Sequence, residues 1–274
     1  MTNNASNHKE YKASVENHTN SDFESKWLDY AWSVLNCSNK QRCYDAGAAK
    51  PHPDRNDGND LCWPGYIGRN YEPGEGILCV GAVHKELSLD ALKKDAFIRR
   101  NNEDFVNSAR QWLQEGRSPG ADQAYLSTVR KVYERALPTW SRYRSHFRML
   151  IEDYLCMDIA QIAWVNLAKC RVPVDQGTKR RAAQADLTCL CQNEGPAMSN
   201  LIEALRPVAV LVAGLKAGQD SDIVPSWDGP NWSPLVFSWQ GQFGHDRHNT
   251  DPKRRSLKEW APEMVAEIKA ALGN

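Results

Sequence analysis

The sequence lacks the features that would identify a membrane or secreted protein. It has no uninterrupted apolar run of roughly eighteen residues, the length that a membrane-spanning helix needs. Its first residues, MTNNASNHKEYKASVENHTNSD, contain no apolar segment of the kind found in secretory signals. We therefore expect a cytoplasmic protein that has no membrane partner.

An excess of either charge is also missing. Lys and Arg together number 34, as do Asp and Glu, so the formal net charge is zero. This excludes a polycationic coat of the histone or ribosomal kind, whereas an enzyme acting on nucleic acid needs only a local basic patch. The 41% of hydrophobic residues is ordinary for a globular protein with a substantial core.

Disulfides are not expected, because a chain without an export signal meets a reducing compartment. The sequence nevertheless has eight cysteines. Cys79 and Cys156 lie in apolar runs and are predicted to be core residues. The other six stand in polar, loop-like contexts, which leaves metal binding open.

Hydrophobic periodicity predicts an alternation of helices and strands. Continuous apolar runs predict strands buried on both faces, at 77–83, 160–168, 208–214 and 234–239. Apolar residues at helical spacing predict helices at 24–36, 103–115, 122–136, 140–155, 194–205 and 257–272. Buried strands separated by helices imply parallel β-α-β units. The predicted fold class is α/β, a three-layer α/β/α sandwich around a mainly parallel four-stranded sheet.

A single domain is the simplest organisation for this chain. Residues 1–23 are rich in Asn, Ser, Thr and His, and we expect them to form a disordered or loosely attached N-terminal arm. No internal repeat or linker interrupts residues 24–274. These residues are predicted to form one domain and to act as a monomer.

The residues that follow each predicted strand are the most informative, because ligands of parallel α/β sheets bind outside the carboxyl ends of the strands. In chain order these segments read GAVHKE from Gly81, NLAKCRVP from Asn166, AGLKAG from Ala213 and SWQGQFGHDRHN from Ser238. They combine small residues with an Asn and several His and Gln. This is more hydrogen-bonding capacity than an ordinary strand end requires, and it predicts a ligand site.

From about Gly76 to its end, the chain resembles the uracil-DNA glycosylase superfamily. The resemblance rests on four segments that occur in the family's order, CVGAVHKE, VNLAKCRVP, VLVAGLKAG and VFSWQGQFGHDRHN. In several branches the corresponding strands end in V-G-x-x-P, in N-x-x-K-C-R-P-P, in a glycine and in H-P-S. The second match is the specific one, and the fourth matches in position only. The resemblance implies a DNA glycosylase that leaves an abasic site.

The first motif departs from the family pattern at the residues that would carry catalysis. The family usually has an acid or Asn shortly after the glycine and then a Pro, but Ala82, Val83 and His84 follow Gly81 here. Ala and Val cannot orient or deprotonate a water. Cleaving an N-glycosidic bond needs a group that stabilises the cationic sugar and a donor for the departing base. The predicted catalytic candidates are Glu86, His84, His245 and His248, and for Glu86 a solvated surface acid is an equal alternative.

Asn166 is the predicted reader of the base. A carboxamide offers a donor and an acceptor in one plane, which suits the Watson–Crick edge of a flipped pyrimidine. The alternative is an Asn that caps the strand end or a helix start. The other predicted substrate contacts, which include two aromatic rings for stacking, are Gly81, Ala82, Val83, Tyr66, Trp239 and Gln240.

Several basic residues in the loops after the recognised strand ends are predicted to contact DNA phosphates. Such contacts position the duplex without reading its sequence. The alternative for each is a solvated surface charge. The predicted DNA-binding residues are Lys169, Arg171, Lys179, Arg180, Arg181 and Arg247.

A metal cluster is the predicted cofactor. Some branches of the family hold a [4Fe-4S] cluster with two N-terminal cysteines, the Cys of K-C-R and one further Cys. The resemblance implies Cys37, Cys43, Cys170 and Cys189 as ligands, with Cys62 and Cys191 in reserve. Four thiolates from separate segments can bind such a cluster, and a zinc ion is chemically feasible too. The alternative is that these cysteines are free.

The divergent first motif predicts a substrate other than plain uracil. A modified cytosine, such as those of some phage genomes, would need a reshaped pocket, and the enzyme would then serve in antiviral defence. Two other functions stay open. One is a non-catalytic nucleic-acid-binding module on the same fold, and the other is a hydrolase of free nucleosides.

Overall fold

One sheet organises the part of the chain that the computed structural model describes, residues 20–51, 58–85, 95–140, 143–172, 198–213, 234–239 and 257–273. Its strands are β1 (Tyr66–Ile67), β2 (Ile77–Lys85), β3 (Ile162–Val172), β4 (Ala209–Ala213) and β5 (Leu235–Trp239). Their order is β1-β3-β2-β4-β5, with β3, β2, β4 and β5 parallel. The α/β class and the mainly parallel sheet are confirmed.

The sheet has a fifth strand that the sequence does not predict. Strand β1 pairs antiparallel with β3, so that Tyr66 lies opposite Trp164 and Ile67 opposite Ala163. Two residues are too few to show the alternation by which a strand is recognised, and a Gly-rich loop surrounds them. The four predicted strands are therefore present, with this short edge strand added.

Strands β2 and β3 are longer than predicted. Beyond Val80, which lies opposite Val212, β2 has no register partner in β4. It continues in register with β3 as far as Lys85, opposite Val172, and this register shifts after Val83. Between the pairs Val83–Ala168 and His84–Arg171, β3 has two more residues than β2, so the ladder is irregular there. Asn166 consequently lies inside a strand and not at its end.

Six α-helices lie within the described ranges: α1 (Asn20–Leu35), α2 (Lys40–Asp45), α3 (Ala96–Glu115), α4 (Pro119–Ala136), α5 (Met198–Leu205) and α6 (Leu257–Leu272). The Asp95 carboxylate caps α3 by accepting from two backbone N–H groups, and the Ser118 hydroxyl caps α4. The predicted bounds of α6 are confirmed. Helix α1 begins inside the predicted arm, whose first 19 residues lie outside the described ranges.

The segment predicted as one helix at 140–155 differs in type. It contains two π-helical stretches, Tyr143–Phe147 and Met149–Tyr154, preceded by a 3-10 turn at Leu137–Thr139. The rings of Tyr143 and Phe147 each pack at an angle against the indole of Trp164, with centroids 6.4 Å and 5.0 Å away. The wide helical turns thus form one wall around the middle of β3.

The core lies on both faces of the central strands. Residues 77–80, 162–165 and 209–212 are all buried, and successive strand side chains point to opposite faces, so both faces are covered. Stacked rings join the helices, with Trp112 against Tyr125 at 4.0 Å between centroids. None of the described helices has both the length and the apolarity to cross a membrane.

Candidate functional site

The candidate site lies where the strand order reverses. From β2 the chain passes first to β3 on one side and then to β4 on the other, and ligands of such sheets bind in the crevice at that point. The register of β2 with β4 ends at Val80, so Gly81 is the first β2 residue beyond it. Gly81 is in register with Asn166 of β3. The structure therefore brings together two of the predicted substrate-binding residues.

Asn166 lies directly over the backbone of Gly81. A Cβ atom built on Gly81 would come within 2.2 Å of Asn166 Oδ1 and 3.2 Å of Trp164 Cζ2. No real Cβ approaches an oxygen so closely, and only glycine accommodates the amide in this position. Asn166 is 3% exposed. The interpretation of Asn166 as a strand-end cap is wrong, because β3 continues for six residues beyond it.

Lys169 supports the backbone of Asn166. Its Nζ donates a hydrogen bond of 2.6 Å to the Asn166 carbonyl and stands 5.6 Å from the centre of the Tyr30 ring in α1. The residue is 1% exposed. Lys169 is predicted from the sequence to contact a DNA phosphate, but the structure directs its ammonium group into the protein. The polar sequence around it resembles a loop, whereas the ammonium is in fact held by a carbonyl and an aromatic face.

Arg171 is likewise turned inward. Its guanidinium lies 4.3 Å from the centre of the Trp63 ring and donates a hydrogen bond of 2.8 Å to Asn102 Oδ1 in α3. Its backbone carbonyl accepts from Ala49 N–H, and the residue is 4% exposed. The predicted phosphate contact at Arg171 does not agree with this burial. The guanidinium instead joins the end of β3 to α3 and to the loop before β1.

Tyr66 does not present a free face to a base. Its ring is 1% exposed and stacks on Tyr133 of α4 with centroids 5.4 Å apart. Its hydroxyl donates to the Ile159 carbonyl at 3.0 Å. Burial, and then the nearby Glu134 carboxylate, raise the pKa of the Tyr66 hydroxyl above its ordinary value. The predicted stacking role is therefore not supported, because Tyr66 joins the sheet edge to α4.

The remaining predicted residues divide into two sets. The first lies on described strands: Ala82, Val83 and His84 follow Gly81 along β2, with His84 opposite Arg171, and Trp239 ends β5 opposite Ala213. The second lies outside the described residues and comprises Glu86, Lys179, Arg180, Arg181, Cys189, Gln240, His245, Arg247 and His248.

Four cysteines converge beside the polar end of β3. We call Cys37, Cys43, Cys62 and Cys170 the thiol group. Cys62 Sγ and Cys170 Sγ are 3.4 Å apart, and Cys37 and Cys43 are near enough to influence the pKa values of Cys62 and Cys170. Three of the four are buried, and Cys37 is partly exposed. Within the described residues no group of three or more His, Cys, Asp or Glu side chains could hold a metal ion, so the predicted cluster stays a prediction.

The thiols differ in the proton affinity that their neighbours impose. Hydrogen bonds from Cys170 and then from Cys37 lower the pKa of Cys62 well below its ordinary value. Hydrogen bonds with Cys43 and then with Cys62 raise the pKa of Cys170. The hydrogen bond with Cys62, followed by burial, raises the pKa of Cys37. Cys62 is therefore the thiol of the set that loses its proton most readily. Its sequence context, LCWPG, gives only the weak signal of a thiol in a turn.

Comparisons with known proteins do not assign the chain to a family. No protein-family model matches it, no curated protein resembles it significantly in sequence, and no solved structure resembles it significantly.

Proposed function

We propose that this protein is a DNA glycosylase that hydrolyses the N-glycosidic bond of a flipped-out modified pyrimidine and leaves an abasic site. The proposal includes a uracil-DNA-glycosylase-like, three-layer α/β/α fold, and a cytoplasmic monomer that acts on DNA. The substrate that fits the divergent first motif is a modified cytosine, with a role in antiviral defence. Uracil is the reference substrate.

The observation that carries the proposal is the Asn166 side chain over Gly81. A carboxamide presents a donor and an acceptor in one plane, and a pyrimidine edge presents the complementary pair. Because Gly81 has no side chain, Asn166 Oδ1 can lie against its backbone. The Lys169 ammonium donates a hydrogen bond to the Asn166 carbonyl. A rigid amide at a topological switch point is suited to reading a base taken out of the stack.

The chemical step requires water to attack the sugar while the base leaves with the bonding electron pair. In this proposal Asn166 holds the base edge, and the groups that stabilise the cationic sugar and orient the water are Glu86 or His84. His245 or His248 donates to the departing base. Such placed donors and carboxylates act by stabilising charge that develops in the transition state. These four roles come from the sequence and stay predictions.

A second function is favoured by a specific observation. Ala82 and Val83 follow Gly81 along β2, so neither of these positions supplies an acid or amide for water activation. A non-catalytic module that binds nucleic acid through the same Asn166 needs no such group. A hydrolase of free nucleosides would need the group but no DNA contacts.

The test is excision from defined DNA. Single- and double-stranded oligonucleotides that carry uracil or one of several modified cytosines are incubated with the full chain, and abasic sites are cleaved with alkali. We expect scission at one modified pyrimidine. Asn166→Ala should lower the rate by about 100-fold or more, because the polar group that reads the base is gone.

The matched control is Asn101→Ala, since Asn101 is also a buried amide but belongs to α3. This variant should retain excision, which separates the loss of base recognition from a general loss of buried polar groups. DNA binding that persists without scission of any oligonucleotide would leave the binding module as the function. Release of base from free nucleosides alone would favour the nucleoside hydrolase. The glycosylase proposal fails in both cases.

A further inference from the structure

The indole of Trp164 borders the candidate site beside the Asn166 amide. Trp164 and Asn166 are two residues apart in β3, so their side chains point to the same face of the sheet. A Cβ atom built on Gly81 would lie 2.2 Å from Asn166 Oδ1 and 3.2 Å from Trp164 Cζ2. The amide and the indole therefore meet over the backbone of Gly81.

The indole N–H of Trp164 is a buried donor without an acceptor. The residue is 1% exposed, and no group in the described ranges accepts a hydrogen bond from its Nε1. The rings of Trp140, Tyr143 and Phe147 pack against it at interplanar angles of 74°, 62° and 75°. These rings enclose the indole, but an aromatic face is only a weak acceptor for an N–H group. A buried donor without a partner is uncommon, and in a candidate binding site it points to a ligand that supplies the acceptor.

The geometry of the indole relates this donor to the Asn166 amide. Among the Trp164 atoms, Cζ2 comes closest to the Cβ position of Gly81. Cζ2 is two bonds from Nε1, and the hydrogens on these two atoms lie along the same edge of the indole. A ligand held against the Asn166 amide can therefore present one further atom to Nε1. Together the two side chains offer two donors, the indole N–H and the amide Nδ2, and one acceptor, Oδ1.

We propose that Trp164 is a specificity-determining residue of this site, and that its indole N–H donates a hydrogen bond to an acceptor of the base that Asn166 binds. The inference rests on the proposed function and adds a requirement on the substrate. The base presents an oxygen or nitrogen acceptor to Trp164, in addition to the two groups that contact the Asn166 amide. A base that lacks this acceptor leaves the buried N–H unpaired, and a site built on hydrogen bonds rejects such a base.

The test combines a change in Trp164 with a change in the base. Trp164→Phe keeps an aromatic ring and removes the N–H. The full chain is given oligonucleotides with paired bases that differ in one acceptor: a carbonyl oxygen replaced by sulfur, or 5-hydroxymethyl replaced by 5-methyl. We expect Trp164→Phe to lower kcat/KM about 10-fold for bases with the acceptor, and by less than about 2-fold for the member of one pair that lacks it. The matched control is Trp27→Phe in α1, an equally buried indole whose loss should affect both members of each pair equally.

Nuclear magnetic resonance of the indole N–H groups keeps the inference testable if Trp164→Phe does not fold. In the unmodified full chain, the Trp164 N–H signal should move to lower field when uracil or 5-hydroxymethylcytosine is added as the free base, and the Trp27 signal should not move. Equal effects of Trp164→Phe on both members of every pair, or an unmoved Trp164 signal, would overturn the inference, while excision by the unmodified chain would still support the proposed function. A moved signal without excision of any base would support the contact and overturn the glycosylase.

Discussion

The first half of β2 and β3 is buried and apolar, whereas the second half of β3 carries buried polar and charged side chains, Asn166, Lys169 and Arg171. The apolar half, residues 77–80 and 162–165, lies within the sheet beside β4 and β1. The polar half, residues 81–85 and 166–172, follows the last β2 residue in register with β4, and here the two strands stay in register with each other. In the apolar half burial is favoured by hydrophobic contact itself, which has no direction. In the polar half each buried charge needs its own partner.

The two buried cations of the polar half, Lys169 and Arg171, each have an aromatic ring and a hydrogen-bond acceptor as partners. Lys169 lies over an aromatic ring and donates to a carbonyl, and Arg171 stacks on an indole and donates to an amide oxygen. Burying a charge without such partners would cost several kcal/mol. The apolar half should therefore tolerate changes of side chain that roughly keep its volume, whereas the polar half should depend on particular atoms. The predictions below test this difference, from the largest effect to the smallest.

Removal of the Arg171 guanidinium should have the largest effect on stability. Arg171→Ala loses the hydrogen bond to Asn102 and the contact with Trp63, and we expect a loss of about 3 kcal/mol in the free energy of unfolding. In the apolar half, the volume-conserving Leu78→Met should change it by less than ~1.5 kcal/mol. Denaturation in urea measures both. The matched control is Arg144→Ala, because Arg144 is exposed and should contribute within ~0.5 kcal/mol.

The same variant separates an interior role for Arg171 from a phosphate contact. An interior Arg171 predicts a stability loss and an unchanged salt dependence of DNA binding. If Arg171→Ala instead preserved stability and reduced the slope of log affinity against log salt by about one, the side chain would be a phosphate contact and the burial would be wrong.

A methyl group at Gly81 should affect the candidate site more than the fold. Gly81→Ala places a Cβ against Asn166 Oδ1 and should cost about 2 kcal/mol of stability, in the range of overpacking. If the proposed function holds, excision should fall by about 100-fold, because the amide that reads the base is displaced. The matched control is Gly120→Ala in α4, where no heavy atom lies within 4 Å and stability should not fall. If Gly81→Ala and Gly120→Ala had the same stability and excision rate, the position of the Asn166 amide against Gly81 would not matter for either property.

Much of the sheet follows from the sequence, because its apolar half does. Continuous apolar runs predict four strands, and all four are present in the parallel part of the sheet. The segment K-C-R after Asn166 resembles the start of a loop, since cations and polar groups normally lie at the surface. Its charged side chains are held by Tyr30, Trp63 and Asn102, and its backbone carbonyls accept from Ala49 and Trp63 N–H groups. These partner residues lie far from the segment in the sequence, so no local sequence pattern predicts the contacts.

Part of the candidate site could also be predicted from the sequence, as part of the sheet could. Gly81 and Asn166 stand in motifs that could be found by order along the chain, and their register follows from the parallel pairing. The convergence of Cys62 with the other thiols could not be found in this way, because it depends on the path of the loop before β1. The polar segments that follow β4 and β5 lie outside the described residues, so their predicted histidines stay predictions.

Replacement of Lys169 by methionine should have the smallest effect of the three. Lys169→Met keeps most of the volume beside Tyr30 and removes a buried charge, but it leaves the Asn166 carbonyl without the ammonium. Removing the desolvated charge offsets much of the lost hydrogen bond, so we expect a net loss of about 1 kcal/mol. Lys169→Ala should lose about 3 kcal/mol, because it adds a cavity. If both variants lost the same amount, the charge of Lys169 and not its volume would stabilise the polar half, and the contrast with the apolar half would be sharper than proposed.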